Sequence, residues 1–175
     1  MAYPRSSAEE LARLRRHVEN GVPEAITHLA QRYMEGVCVP KSAKKAVKLY
    51  KRAVELGNTM AMVELGMLYE RGDGVTLDRM KSRQLYQLAA GRGSAHARFN
   101  LGHSLKKAGD VTAAMSYYKL AANQGLLSAW NSIGGLYFSQ GNLEESKRWF
   151  ERAAAAGHEG ARHNLEVTLK RIPTL

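Results

Sequence analysis

Several things are scarce in this chain at once. Its 175 residues include one cysteine, Cys38, 4 prolines, and few aromatics: 2 Trp, 8 Tyr and 3 Phe. A single cysteine excludes an intrachain disulfide and a cysteine-based metal cage. Read as a small apolar loop residue, Cys38 points to a reducing, cytoplasmic-type compartment and not to catalysis. The shortage of aromatic side chains speaks against a β-sandwich. No apolar stretch approaches the roughly 20 residues that a membrane span requires. The first ten residues also lack the apolar segment of a secretory signal and turn acidic at Glu9 and Glu10. Acidic residues are in deficit too: 16 Asp+Glu face 26 Lys+Arg, a net charge of +10. With 45% hydrophobic and 24% charged residues, the composition fits neither a disordered nor a membrane-spanning chain.

Small residues are what the chain has in plenty, with 24 alanines and 16 glycines. They favour helices packed closely through small side chains. The length suits one domain with a sizeable core and is short for two.

The placement of those small residues is periodic. Glycines at 21, 57, 93, 125 and 157 are spaced by 36, 36, 32 and 32. Four residues after each stands an alanine: Ala25, Ala61, Ala97, Ala129 and Ala161. Four further on comes a branched aliphatic: Leu29, Leu65, Leu101, Ile133 and Leu165. Next is a small residue in four of the five cases, Ala30, Gly66, Gly102 and Gly134, with Glu166 the exception. Tyr33, Tyr69 and Tyr137 share the following marked position, where Leu105 and Leu169 substitute. Such offsets trace one stripe of a helix.

A second helix in each unit is read backwards from its closing glycine. Seven residues before it lies an aromatic: Tyr50, Tyr86, Tyr118 and Phe150. Four before it is always alanine: Ala53, Ala89, Ala121 and Ala153. Eleven before it is always small: Ala46, Ser82, Ala114 and Ser146. The unit is thus helix–turn–helix, closed by a glycine suited to a helix C-terminus. The change of period lies in the inter-helix loop. Units one and two carry long loops, Gly36 to Ser42 and Gly72 to Asp78, whereas units three and four carry short ones from Gly109 and Gly141. Ser42, Asp78, Thr112 and Asn142 are the candidate caps or first-turn residues.

This predicts an all-α solenoid of about ten helices in one repeat domain. A capping helix at 7–20 opens on the capping box Ser7-Ala-Glu-Glu10, with Leu11, Leu14 and Val18 on its inner side. Repeats at 21–57, 58–93, 94–125 and 126–157 follow, and a closing half-repeat at 158–171 stops before Pro173.

These residues resemble the Sel1-like repeat family, a relative of the tetratricopeptide repeats. The second unit carries the resemblance most fully, in Ala61, Leu65-Gly66, Tyr69, Gly72-Asp-Gly-Val75, Tyr86, Ala89-Ala90 and Gly93. The likeness spans roughly residues 21–171, and the short loops of units three and four are similar to tetratricopeptide loops. What the resemblance implies is a right-handed α-solenoid acting as an adaptor or scaffold for other proteins.

Catalytic signatures are missing: no phosphate-cradling Gly-Lys-Ser/Thr loop, no His-Glu-x-x-His and no Gly-x-Ser-x-Gly occurs. His96 and His103 lie seven apart, and His158 and His163 fall in the last helix, but no spacing supplies a metal set. Glu9-Glu10 and Glu144-Glu145 read as first-turn residues that the helix dipole favours. The expectation is therefore a non-enzymatic chain with no catalytic residue, no metal and no cofactor, partnered by a protein or peptide.

Two surfaces are candidates for that partner. In helix–turn–helix solenoids the first helices line the concave face, so positions three and six after each alanine point to it. His28, Glu64, Asn100 and Asn164 occupy the first set, and Gln31, Met67 and His103 the second; Asn131 joins Asn100, His103 and Asn164 in a run of amide and imidazole groups. The second surface is a basic stripe, Lys41, Lys44, Lys45, Lys48, Lys51 and Arg52. The first 57 residues hold 11 basic and 6 acidic side chains, half of the net charge. This stripe suits an acidic partner. Nonspecific nucleic-acid binding is the other reading, although arginine-rich stretches with interleaved aromatics are missing.

Overall fold

The computed structural model describes residues 5–172, with side chains from Ala8 onward, and every regular element among them is an α-helix. The chain forms two compact units that meet in sequence between Arg92 and Gly93. The first holds α1 (Arg5–Glu19), α2 (Pro23–Glu35), α3 (Ala43–Glu55), α4 (Thr59–Arg71) and α5 (Arg79–Gly91). The second holds α6 (Ala95–Lys107), α7 (Val111–Ala122), α8 (Leu127–Ser139), α9 (Leu143–Ala155) and α10 (Glu159–Leu169). Ten helices and the helix–turn–helix alternation match the all-α expectation.

One packing rule operates in all four hairpins, α2–α3, α4–α5, α6–α7 and α8–α9. The alanines that open the stripe, from Ala25 to Ala161, are buried, as are the small residues of the second helices. Tyr50, Tyr86, Tyr118 and Phe150 are all at most 2% exposed. Each ring contributes on the order of 1.5–3 kcal/mol by leaving water. The small residue on the first helix is what lets the ring in. A Cβ added at Gly66 would stand 2.6 Å from the Tyr86 ring, and one at Gly102 or Gly134 would stand 2.7 Å from Tyr118 or Phe150. Backbone and ring are in direct contact there, closer than any side chain allows. Burial raises the phenols: Tyr118 is pushed up to about 12. Tyr50 and Tyr86 are also raised by burial, with carboxylates nearby adding to it. The Tyr86 hydroxyl donates to Glu70 Oε2 at 3.3 Å.

The helix ends follow from local chemistry. The closing glycines take φ from +75° to +95°, the left-handed region that ends a helix without a Cβ penalty. Pro23 occupies the start of α2, where no N–H is needed. Ser42, Asp78, Asp110 and Asn142 cap α3, α5, α7 and α9 through their side chains. The third cap is therefore Asp110, with Thr112 inside the first turn. Two expectations at the N-terminus change. Helix α1 begins at Arg5, ahead of the expected cap Ser7, because nothing from Arg5 to Ser7 bars helix; the Ser7 side chain lies outside the described residues. Glu9 and Glu10 consequently fall beyond the first turn, which holds no acid, whereas Glu144 and Glu145 do occupy one. Leu11 and Val18 are buried and Leu14 half-buried, as the stripe requires. Pro173 lies outside the described residues.

The two loop lengths share one anchor. The backbone N–H of each cap donates to the same position of the helix before it: Ser42 to Tyr33 O at 2.8 Å, Asp78 to Tyr69 O at 2.9 Å, Asp110 to Leu105 O and Asn142 to Tyr137 O at 3.0 Å. The long loops add a second device, since Lys45 sits over the Tyr33 ring at 5.4 Å and Lys81 over Tyr69 at 5.7 Å. Successive hairpins are also tied at their closing glycines. Arg92 Nη1 donates to Gly57 O at 2.7 Å within the first unit, and Gln124 Nε2 to Gly93 O at 3.0 Å within the second.

Candidate functional site

The hairpin architecture turns fixed positions of each first helix away from its core, and in the first unit these meet the outer face of α1. Glu10, Arg13, Leu14 and His17 are spaced i, i+3, i+4, i+7 on α1, and His28, Gln31, Arg32 and Glu35 repeat that spacing on α2. Between the two stripes lies an open cleft of about 620 Å³, which Val37 also lines. That volume falls within the roughly 300–1,000 Å³ typical of ligand sites. Arg32 Nη2 reaches Glu10 Oε2 at 3.6 Å across it. Because Glu10 is 68% exposed, this pair is worth no more than about 1 kcal/mol, and an incoming carboxylate competes for Arg32 at little cost. The cleft thus offers two guanidinium groups, two imidazoles, an amide and two carboxylates alongside the apolar side chains of Leu14 and Val37.

The expected groove residues divide. His28 and Gln31 are in the cleft, and Gln31 also reaches Met60 Sδ at 3.7 Å. Glu64 and Met67 are half-buried on α4; Met67 Sδ accepts from Arg71, and the Glu64 carboxylate acts on Tyr50. In the second unit Asn164 Nδ2 donates to Asn131 Oδ1 at 2.9 Å, so those two side chains are joined by one hydrogen bond. Asn100 is half-buried on α6 and His103 exposed on the same helix. The α1 side of the cleft, Glu10, Arg13 and His17, is not reached by counting along the first helices alone; the i, i+3, i+4, i+7 spacing flanking Leu11 and Val18 is the available signal.

All six members of the basic stripe are exposed. His158 serves as a cap, its Nδ1 accepting from the Ala161 N–H at 3.1 Å. Trp130 donates Nε1 to Ala122 O at 2.9 Å and lies under Arg152 at 4.2 Å, filling the space between helices. Among the described residues no group of three or more His, Cys, Asp or Glu is arranged to hold a metal ion, and no helix is long and apolar enough to cross a membrane.

Comparisons with known proteins follow the same division into two units. The Sel1 repeat matches residues 23–58 and 59–94. The tetratricopeptide repeat matches residues 95–123 and 127–156. No match is found among curated protein sequences. Among solved structures, the chain is similar to c5321, a protective antigen present in uropathogenic Escherichia coli strains and displaying an SLR fold. Identity is 32% with a TM-score of 0.79, over 87% of this chain and 34% of that one. It is also similar to a Sel1 repeat protein from Oxalobacter formigenes, 28% identical with a TM-score of 0.69, over 83% of this chain and 63% of that one. The immunity protein Pa5087 from Pseudomonas aeruginosa shares the fold at 23% identity and a TM-score of 0.64, over 85% of this chain and 58% of that one. The chain therefore spans about a third of the first of these proteins and under two thirds of the others.

Proposed function

The chain belongs to the Sel1-like repeat family, with tetratricopeptide-type repeats in its second unit, and from that premise we propose that it is a non-enzymatic module that binds a peptide or protein segment along the exposed face of its first helices. Repeats of these two kinds are generally protein–protein interaction modules. The observation that carries the reading is the cleft between α1 and α2, where His28 and Gln31 stand with Arg13, His17 and Arg32. Guanidinium and amide groups on rigid helices hold backbone carbonyls and carboxylates with little rearrangement on binding. Leu14 and Val37 receive an apolar side chain between them.

Selection of binding peptides from a random displayed library, followed by titration of the best binders, tests this. Arg13→Ala combined with Arg32→Ala is expected to weaken those peptides at least tenfold, which corresponds to about 1.4 kcal/mol. Equal affinity for both proteins overturns the cleft as the binding site. Failure of the library to yield any binder overturns the module.

A further inference from the structure

One member of the basic stripe, Lys45, sits over the Tyr33 ring; the other five cations carry charge that no contact among the described residues puts to use. Between Lys41 and Arg52, every residue that packing leaves exposed is a lysine or an arginine. Among the described residues, none of the six forms an ion pair within 4.0 Å. Their spacing sets them against one another: on α3, Lys44 with Lys48 and Lys48 with Arg52 are each four apart, so like charges are neighbours on the helix surface, and Lys41 adds another just ahead of the cap Ser42. Lys44 and Lys45 moreover sit in the first turn, which holds no acidic residue, and the positive end of the helix dipole repels them. The arrangement therefore weakens α3 by itself.

The repeat does not require it. Thirty-six residues on, the corresponding positions are Leu77, Met80, Lys81, Gln84, Gln87 and Leu88. The one lysine there is paired with the capping Asp78 at 3.2 Å. The matching first turn of α9 instead holds Glu144 and Glu145. One hairpin in four thus accumulates unneutralised cations on an otherwise interchangeable scaffold.

We infer that the exposed face of α3 is a docking surface for an acidic protein segment, separate from the α1–α2 cleft and independent of it. Charge complementarity selects the occupant, and the details of the face select among anionic partners. Five of the six cations are lysines, point charges without the planar fork that suits phosphates. The aromatic bordering the face, half-buried Tyr33, already lies under Lys45, so it offers no open ring on which a base could stack. It exposes no apolar side chain between Lys41 and Arg52 to enter a lipid interface. From Lys44 to Arg52 the strip is about 12 Å long at ~1.5 Å per residue, the reach of two or three helical turns bearing carboxylates at i, i+4 and i+7.

Fluorescence anisotropy with a labelled dodeca-glutamate peptide tests the inference on the full chain. Comparison ligands are dodeca-glutamine, a twelve-residue oligo-dT, and vesicles of phosphatidylcholine with about a third phosphatidylserine. Glutamate peptide binding that is lost by 0.3 M salt is expected, with no binding of the glutamine peptide. Lys44→Glu with Lys48→Glu should weaken it at least tenfold while the melting temperature stays level or rises, because both glutamates gain cationic neighbours. If that variant melts early, Lys44→Gln with Lys48→Gln carries the same comparison. Arg13→Ala with Arg32→Ala should leave the glutamate peptide bound as before, which separates this surface from the cleft. Unchanged affinity in the α3 variants overturns the assignment, and so does tighter binding of the oligonucleotide or the vesicles than of the peptide.

Discussion

The first and second units are the same machine inside and different machines outside. In both, a buried ring from the second helix rests on the backbone of the first: Tyr86 on Gly66 in one, Tyr118 on Gly102 in the other. In both, the cap after the loop returns its N–H to the same carbonyl. The differences lie in what the interior does not constrain. The first unit has long loops braced by Lys–Tyr stacking and a helix face of uncompensated cations. The second has short loops and, on α9, glutamates and arginines interspersed, including the Arg148–Glu145 pair at 2.6 Å. Interior positions are fixed by contact at van der Waals range, where a single methyl matters. Surface positions are free to specialise, so function in such a protein is to be sought where the repeats disagree.

The largest effects should fall on what the units share. Tyr86→Ala and Tyr118→Ala are each expected to cost about 3–5 kcal/mol, the usual range for emptying a buried aromatic site. Gly66→Ala and Gly102→Ala should each lose about 1–2 kcal/mol net, since the forced ring displacement outweighs the better helix propensity of alanine. In the background where the ring is already gone, the same alanines should instead stabilise by up to about 1 kcal/mol. Urea denaturation of the two double-mutant cycles reads this directly. A Gly66→Ala that costs the same with and without Tyr86 breaks the equivalence of the two interiors.

That shared interior is also the part of the molecule most legible in the sequence. The four rings, their alanines and the closing glycines each recur at fixed spacing, because the same contact is remade in every hairpin. The candidate site was half legible. His28 and Gln31 follow from a position counted along the first helices, but Arg13 and His17 belong to a helix that opens the chain and has no repeat to be compared with. The start of α1 at Arg5 was missed for a related reason: a capping-box pattern at Ser7 competes with nothing upstream that breaks a helix. Asn131 and Asn164 fall outside simple counting as well, since the 2.9 Å bond between them depends on how neighbouring helices are set, not on spacing within one.

The long loops give the next test, and it applies to the first unit alone. Gly74, at φ +71°, has the Ala43 carbonyl carbon 2.7 Å from where its Cβ would be. Gly74→Ala should therefore cost more than the roughly 1–2 kcal/mol of a left-handed residue by itself. Gly109→Ala, at φ +89° with open space around it, should cost only that amount. The same loop position in the first repeat is Cys38, which holds φ +61° in spite of its side chain. Cys38→Gly should thus stabilise by about 1 kcal/mol. Equal losses for Gly74→Ala and Gly109→Ala would mean that the long loop is held no more tightly than the short one.

The smallest expected effect separates two serines at one repeat position. Ser82 and Ser146 both stand four residues before the buried ring, and both are buried themselves. In the first unit the ring is Tyr86, whose hydroxyl is near enough to Ser82 to interact with it. In the second it is Phe150, and the Ser146 hydroxyl has no partner among the described residues. A buried hydroxyl without a partner carries its full desolvation cost, whereas a partnered one returns part of it. The corresponding residues of the other two hairpins, Ala46 and Ala114, show that the position accepts alanine. Ser146→Ala should therefore stabilise the chain by about 1 kcal/mol, and Ser82→Ala should destabilise it by a similar amount. At this length that is a shift of roughly 2–4 °C in melting temperature in opposite directions. Converting the ring should exchange the signs: with Phe150→Tyr the Ser146 hydroxyl acquires a partner, and its replacement by alanine should no longer be favourable. Shifts of the same sign for the two serines would show that the ring hydroxyl does not distinguish the two interiors.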